Sequence, residues 1–141
     1  MDNELWCIVG VSSASQDFTV QESEGMLDYS RQDRQLKNIT SLVVYADKNA
    51  LFLIEGTYEA VKSEYSMLLT HTGHHNIIKM FDQSIKYRMF EDYPLAFKSI
   101  SKDLKALDDF TDEDMQEYFN EFLLMNLPVS KIVKDFIKNN S

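Results

Sequence analysis

Three histidines within residues 71–75 are the side chains of this chain best placed to bind a metal ion. In a helix, His71 and His75 would lie one turn apart on the same face, a spacing at which two imidazoles can share a zinc ion. Gly73 stands between them, and glycine at that position favours a helix end or a loop over a continuous helix. The pattern therefore predicts a connection between two elements, and we expect no metal site here.

The other residue types that carry enzyme chemistry are not arranged for it. No nucleophile is paired with a base in the sequence, and the four glycines form no loop of the kind that binds phosphate. Glu55 precedes Gly56 at a corner between an apolar run and a helix, where a turn or capping role is expected. Cys7 is the only cysteine, so no disulfide can form within the chain, and its apolar neighbours predict a packing role. We therefore expect a protein that is not an enzyme.

Composition and charge limit the partners of the chain. Its 141 residues carry a formal net charge of −9, which disfavours nucleic acid, because binding there depends on cationic side chains. Acidic runs such as residues 112–114 are typical of a solvated surface. The apolar stretches are too short to span a bilayer, and no basic and apolar leader opens the sequence. The sequence predicts a cytoplasmic protein with no membrane partner and no nucleic-acid partner.

Short apolar and β-branched runs predict five strands, and two segments between them predict helices. The expected strands are residues 5–9, 39–45, 50–54, 77–81 and 94–100. The first helix is expected over about residues 19–37 with Thr19 as its N-cap, and the second begins after Thr57. Residues 10–15 are expected to form a loop. The resulting β-α-β-β-α-β-β order predicts an α+β, ferredoxin-like sheet with both helices on one face.

The chain changes character beyond about residue 100, which divides it into a domain of residues 1–100 and an extension of residues 101–141. Two helical segments separated by Pro128 are expected in the extension. Its stronger apolar stripe consists of Met115, Tyr118, Phe119 and Phe122. Because the extension is too short to bury both of its apolar faces alone, it should pack on the open face of the sheet or on a partner subunit. A homodimer through these helices is one expected arrangement.

Several short motifs of residues 5–100 resemble the BLUF domain, a family that senses blue light with non-covalently bound FAD. Residues 52–61 (FLIEGTYEAV) are similar to the family's third strand, the corner after it and the following helix. Residues 39–45 (ITSLVVY) resemble its second strand, and residues 74–77 (HHNI) match the end of its Arg-His-x-x-Val motif. Residues 88–95 (RMFEDYPL) resemble its closing Arg-x-Phe-x-x-Trp-x-Met motif. The order and spacing of these motifs agree across the whole domain.

The resemblance implies where the flavin-binding residues of the family would lie. A photoactive tyrosine is expected in the first strand and a glutamine in the third, and these positions are held here by Gly10 and Phe52. The asparagine that fixes the flavin carbonyl edge corresponds to Arg34, or to Asn38 after a shift of four residues. His74 corresponds to the motif histidine. If FAD binds, the resemblance therefore assigns it to Arg34, Asn38, Phe52 and His74.

The two strand positions decide the function that we expect. Phe52 can neither donate nor accept a hydrogen bond through its side chain, and Gly10 has no side chain to oxidise. The sequence therefore predicts a BLUF-like signalling or protein-interaction module that has lost the standard flavin photochemistry and FAD binding, with no cofactor. One alternative is an FAD-binding blue-light photoreceptor with altered photochemistry. A second alternative is a small-molecule-binding domain that uses the pocket between the two helices for another ligand.

Overall fold

The structure of the protein is a computed structural model that describes residues 4–14, 19–47, 49–70 and 74–140, apart from the side chains of Ala14, His74 and Asp103. Its elements are, in chain order, β1 (Leu5–Ala14), α1 (Val20–Leu36), β2 (Thr40–Ala46), β3 (Asn49–Thr57), α2 (Tyr58–Thr70), β4 (His74–Ser84), β5 (Ala96–Ser99), a 3-10 segment (Lys102–Leu107), α3 (Glu113–Leu124) and α4 (Pro128–Asn140). The predicted β-α-β-β-α-β-β order is confirmed, and a helical extension follows it.

One five-stranded sheet organises the chain, with the strand order β4-β1-β3-β2-β5. β1 and β2 run antiparallel to β3 on either side of it, and β4 runs antiparallel to β1. β5 is parallel to β2 at the other edge. The predicted hairpin joins β2 to β3, since a β-branched run, a turn and a second apolar run follow one another there. The predicted ferredoxin-like sheet is therefore confirmed.

β1 is longer than its apolar run. We expected a loop from residue 10, but residues 10–13 pair with β3 on one side and, through most of their length, with β4 on the other. Pairing on both edges satisfies the backbone hydrogen bonds of a segment that offers few large apolar side chains. β4 also extends beyond the predicted residues 77–81 at both ends. Within the apolar part of β1, Cys7 is 1% exposed, in agreement with its predicted packing role.

α1 begins at the N-cap that the sequence predicts. The Thr19 hydroxyl accepts a hydrogen bond from the Glu22 N–H, and the Glu22 carboxylate accepts one from the Thr19 N–H, both at 3.0 Å. This reciprocal pair is a capping box. Asn38, just beyond the helix, has a φ of 56°, the left-handed region that asparagine tolerates better than most residues. Only Ser23 and Arg34 are buried along α1, so no apolar side chain of this helix is fully buried against the sheet.

The two faces of the sheet are covered by different pairs of helices. Alternation along β3 directs Phe52 and Ile54 to the face under α1 and α2, and Leu51 and Leu53 to the opposite face. The opposite face packs against α3 and α4 in a core whose aromatic members include Phe90, Phe110, Phe119, Phe122 and Phe136. The extension therefore packs on the sheet of its own chain, one of the two arrangements that its stripe predicts. The domain boundary at residue 100 stays a prediction.

α1 is the longest described helix at 17 residues, and its composition is largely polar. In the described part of the chain, no helix has both the length and the apolar composition of a bilayer-spanning segment.

Candidate functional site

A cavity of about 700 Å³ lies between α1 and α2 on the sheet face that carries Phe52. Side chains of the sheet form its floor, and the two helices form its walls. The apolar part of its lining includes Met26, Leu27, Val43, Phe52, Leu68, Ile77, Leu95 and Phe97. Cavities of this volume and apolar character are typical of small-molecule sites. It is therefore the candidate functional site.

Phe52 and Gly10 are direct partners across β3 and β1, so the fold brings two of the predicted site positions into contact. Phe52 is 6% exposed, and its ring forms part of the cavity floor. A Cβ built on Gly10 would lie 2.5 Å from the Cζ of that ring, closer than real Cβ atoms approach a neighbour. Position 10 therefore has no room for a side chain while the Phe52 ring keeps this orientation. At position 52 the floor offers only carbon atoms.

Arg34 reaches the cavity from α1 and is only 5% exposed. Its Nη1 donates to the Ser41 hydroxyl at 2.9 Å, and its Nε lies 3.7 Å from the Glu64 carboxylate, too far for a hydrogen bond. Nε has no hydrogen-bond partner. Burial lowers the pKa of Arg34 from its ordinary value, and the Glu64 carboxylate opposes that shift. The guanidinium is thus held by an ion pair with α2 and a hydrogen bond to β2.

Lys37, just past the end of α1, contacts two carboxylates that line the cavity. Its Nζ lies 2.8 Å from Asp33 and 3.3 Å from Glu64. The hydrogen bond to Asp33 is the main reason that the pKa of Lys37 is raised above its ordinary value. Lys37 and Arg34 therefore share Glu64, and both cations are already paired.

The other two residues predicted to bind flavin are not among the described residues that line the cavity. Asn38 is exposed, and its backbone carbonyl accepts a hydrogen bond from Arg88 Nη2 at 2.9 Å. His74 begins β4, where its backbone pairs with the end of β1, and its side chain lies outside the described part of the structure. His71 lies outside it as well. Within the described ranges, no three His, Cys, Asp or Glu side chains come together as a metal site would require.

Glu55 does not have the turn or capping role that we expected, because its carboxylate binds groups that are distant in sequence. It is fully buried, and its carboxylate accepts hydrogen bonds from the backbone N–H groups of Met89 at 2.9 Å and Phe90 at 2.7 Å. The Thr40 hydroxyl donates a third at 3.0 Å. Burial raises the pKa of Glu55, and the two backbone hydrogen bonds oppose that shift. Glu55 thereby fixes the β4–β5 loop (residues 85–95) to β3. A lone carboxylate inside an apolar run was the available signal, since buried acids need donors.

The β4–β5 loop also connects the cavity to the C-terminal helices. On the cavity side, the Ser41 hydroxyl that accepts from Arg34 donates to the Pro94 carbonyl of this loop at 2.6 Å. On the other side, the Tyr118 hydroxyl of α3 donates a hydrogen bond to the Met89 carbonyl of the same loop. One loop is therefore linked through Ser41 to the buried cation of the cavity and is bonded directly to the helix that packs behind the sheet.

Comparison with known families gives a match that covers α1, α2 and the sheet as far as the start of β5. The model described as "BLUF: Sensors of blue-light using FAD" matches residues 5–96, well over half of the chain. Among curated proteins, no sequence matches the chain.

Solved structures with a similar fold include a light-regulated enzyme and a BLUF protein. A bacterial light-regulated adenylyl cyclase superposes with a TM-score of 0.67 at 19% identity, over 96% of this chain and 34% of the cyclase. The dark-state structure of BlrB, a BLUF protein, gives a TM-score of 0.67 at 18% identity, over 93% of this chain and 98% of BlrB. Klebsiella pneumoniae BlrP1 with FMN and cyclic diGMP gives 0.65 at 16% identity, over 81% of this chain and 30% of BlrP1. The chain thus spans about a third of the cyclase and nearly all of BlrB, and at these identities the likeness shows the fold.

Proposed function

The chain belongs to the BLUF family, and on this premise we propose that it is a signalling or protein-interaction module without the standard flavin photocycle. The proposed input site is the cavity between α1 and α2. The proposed output surface is formed by α3 and α4, on the other side of the sheet.

The contact between Phe52 and Gly10 is the observation that carries this proposal. The family resemblance implies that the photocycle uses an electron and proton donor at position 10 and an amide at position 52. Glycine has no group that can be oxidised, and a phenyl ring makes no conventional hydrogen bond. The contact also disfavours a tyrosine at position 10 while Phe52 is present, because the new side chain would meet the Phe52 ring.

The described lining fits a flavin ring in size but not in hydrogen-bonding groups. A volume of about 700 Å³ accommodates a tricyclic ring, but at Phe52 the ring would meet carbon. Arg34 already binds Ser41 and pairs with Glu64. A buried polar group without a partner costs about 1–3 kcal/mol, and about 1.4 kcal/mol corresponds to a tenfold change in affinity. Two such groups lower the affinity for FAD by roughly one to four powers of ten, so the proposal includes weak FAD binding.

The hydrogen bonds of the β4–β5 loop support a route from input to output. A ligand that displaces Arg34 alters its bond to Ser41, and Ser41 in turn holds the loop at Pro94. Tyr118 of α3 binds the same loop, so movement of the loop changes the position of α3. The buried Glu55 carboxylate holds the loop against the sheet, so the loop connects the cavity to α3 in a fixed conformation.

The outer side of α3 is the proposed contact surface for a protein partner or a second copy of the chain. It carries acidic side chains at positions 113, 114, 117 and 121, and Leu124 at its end is 79% exposed. Phe119 and Phe122 are buried against the sheet, so their stripe is not available for a dimer while this packing holds. Light scattering of the purified protein, with Leu124→Lys as a variant, measures whether a second copy binds here.

A second candidate function retains FAD and changes the photochemistry. Tyr29 and Tyr45 line the cavity, and the Tyr65 ring lies 6.2 Å from the Phe52 ring. These phenols are electron donors that lie outside β1, where the family resemblance places the photoactive tyrosine. They favour an FAD-binding blue-light photoreceptor with altered photochemistry as the alternative to the first proposal.

Enzymatic activity is not part of the proposal. The light-regulated adenylyl cyclase of similar fold is a protein of which this chain covers 34%, so the cyclase activity named for it is not transferred. A cytoplasmic location likewise stays a prediction from the sequence.

Two measurements on the purified protein test the proposed function. Mass spectrometry of compounds released on denaturation identifies any ligand carried from the cells, and absorption spectroscopy under blue light follows the protein incubated with FAD. The proposal expects no released FAD and no reversible red shift of the flavin bands. Released FAD together with such a shift would refute it. Released FAD with a different light response favours the second candidate.

A further inference from the structure

Carboxylates outnumber cations around the cavity. Glu22 and Asp33 of α1 and Glu64 of α2 line it, and among the described residues Arg34 is the one cationic side chain that does so. Lys37 approaches from the end of α1. Both cations are paired: Lys37 lies 2.8 Å from Asp33 and 3.3 Å from Glu64, and Arg34 lies 3.7 Å from Glu64. A ligand phosphate would therefore meet three carboxylates, and both cations in this set already lie in ion pairs, although the Arg34 Nε N–H makes no hydrogen bond.

The N-terminus of α1 borders the cavity at Glu22 and Ser23, and the Glu22 carboxylate there disfavours an anion. Helix N-termini attract phosphate because their first N–H groups lack partners within the helix. Here the Glu22 N–H donates to the Thr19 hydroxyl, and the Thr19 N–H donates to the Glu22 carboxylate, both at 3.0 Å. The Glu22 carboxylate, bound to the Thr19 N–H, adds a negative charge at the same place. The chain's own carboxylate thus holds the position that favours an anion.

The remaining wall suits a flat apolar ring. Phe52 and Phe97 provide aromatic carbon from the sheet, and Leu27 and Leu68 face them from the two helices. Gly25 of α1 also lines the cavity, and a Cβ built on it would have no heavy atom within 4 Å. Position 25 therefore has open space for an added side chain, which makes it a suitable position for a test variant.

From these contacts we infer that the cavity binds an uncharged or cationic flat-ring compound and discriminates against ring compounds that carry phosphate, FMN and FAD included. A phosphate at the cavity competes with Asp33 and Glu64 for cations that already lie in ion pairs, and these carboxylates repel it, whereas a neutral ring meets neither cost. The inference rests on the proposed function in taking the cavity as the input site, and it names the class of ligand that the site accepts.

Three tricyclic probes of different charge test the inference in the dark. Lumiflavin is uncharged, FMN carries a phosphate at the end of a ribityl chain on the same ring system, and proflavine is a cationic ring. In fluorescence titrations at low ionic strength, FMN should bind at least about tenfold more weakly than lumiflavin, because like charges repel strongly where water is partly excluded. Proflavine should bind at least as tightly as lumiflavin. Added salt should narrow the difference between lumiflavin and FMN, since it screens the exposed carboxylates.

Two pairs of variants locate the binding and the discrimination. Gly25→Phe should weaken lumiflavin binding at least about tenfold by filling the cavity, whereas Gly25→Ala should leave it unchanged. Asp33→Asn removes a carboxylate and leaves Lys37 with Glu64 alone, so it should improve FMN binding relative to lumiflavin. Asp28→Asn makes the same charge change on α1 at a residue outside the described lining, and it should leave that ratio unchanged.

Three results would overturn the inference: FMN binds as tightly as lumiflavin, none of the three probes binds, or Gly25→Phe leaves binding intact. The last result would place the binding outside the cavity. All of these measurements are equilibrium affinities in the dark. They are therefore distinguishable from a failure of the proposed function, which is detected as a reversible light response.

Discussion

The ring of Phe52 occupies the space that a side chain at position 10 would need, since a Cβ built on Gly10 lies 2.5 Å from its Cζ. The two residues are partners in the β1–β3 ladder. They also hold the two positions at which the family resemblance places photoactive side chains. The phenyl ring at position 52 therefore packs where it does because position 10 has no side chain. A substitution at either position should change the effect of a substitution at the other on stability.

Gly10→Ala should lower the free energy of unfolding by about 1–2 kcal/mol, because the new methyl group forces the Phe52 ring from its place. The ring borders the cavity and has room to turn, which keeps the loss modest. In a protein that already carries Phe52→Leu, the Gly10→Ala substitution should cost much less. Urea denaturation of the four proteins measures the coupling, and strictly additive effects would show that the contact is unimportant.

Glu64→Gln should be more destabilising than Arg34→Met. The first substitution leaves a buried guanidinium without its carboxylate, for an expected loss of about 2–3 kcal/mol. After the second, Glu64 keeps its pair with Lys37 at 3.3 Å, and the methionine chain fills the space. Urea denaturation at neutral pH compares the two variants. The reverse order of stability would mean that the pair across the two helices does not hold α1 in place.

Glu55→Gln should loosen the β4–β5 loop. The amide is neutral and presents one acceptor oxygen where the carboxylate presents two, so one of the two backbone N–H groups loses its acceptor, at a cost of about 1.5–3 kcal/mol. Hydrogen exchange at the Met89 and Phe90 amides should become faster than in the parent protein. Tyr118→Phe, which removes one hydrogen bond to the same loop from α3, is the control and should affect these amides less. Unchanged exchange in Glu55→Gln would argue against the proposed role of Glu55.

Asp82 should make the stability of the protein depend on pH. Burial alone would raise the pKa of Asp82, but hydrogen bonds from Lys62, Lys79 and Trp6 outweigh it and hold the pKa well below its ordinary value of 3.8. A carboxyl with a lowered pKa stabilises the folded state above its ordinary pKa, and that contribution is lost as the pH falls below it.

The variant Asp82→Asn should therefore cost about 1 kcal/mol at neutral pH, and its difference from the parent protein should shrink below pH of about 4. Asp135→Asn is the matched control, because Asp135 lies on α4 in a more exposed pair 3.9 Å from Lys131. A difference that grows toward low pH would give the opposite sign and reject this assignment.

The sequence predicted the elements that local rules decide. The Thr19 cap follows from a hydroxyl three residues before Glu22, and the β2–β3 hairpin follows from two strand-forming runs around a turn. The length of β1 could not be predicted in this way. Residues 10–13 are held by partners in β3 and β4, which are distant in sequence, and their own side chains resemble those of a loop.

The candidate site was predicted in part, through the family resemblance. Arg34 and Phe52 do line the cavity, whereas the partners that fix Arg34 were not foreseen. Glu64 appears in the sequence as an ordinary polar position of a helix, and only the packing of α2 beside α1 brings it to Arg34. Glu55 likewise meets donors more than thirty residues further along the chain, so its role depends on tertiary contacts.

A light-minus-dark absorption difference spectrum of the protein at saturating FAD tests the central claim most directly. Gly10→Tyr with Phe52→Gln is the comparison protein, because the pair of substitutions supplies both photoactive groups and removes the ring that opposes a side chain at position 10. The account predicts a flat difference spectrum for the parent protein and a reversible red shift for the double variant. A reversible red shift in the parent protein, with Phe52 and Gly10 in place, would contradict it.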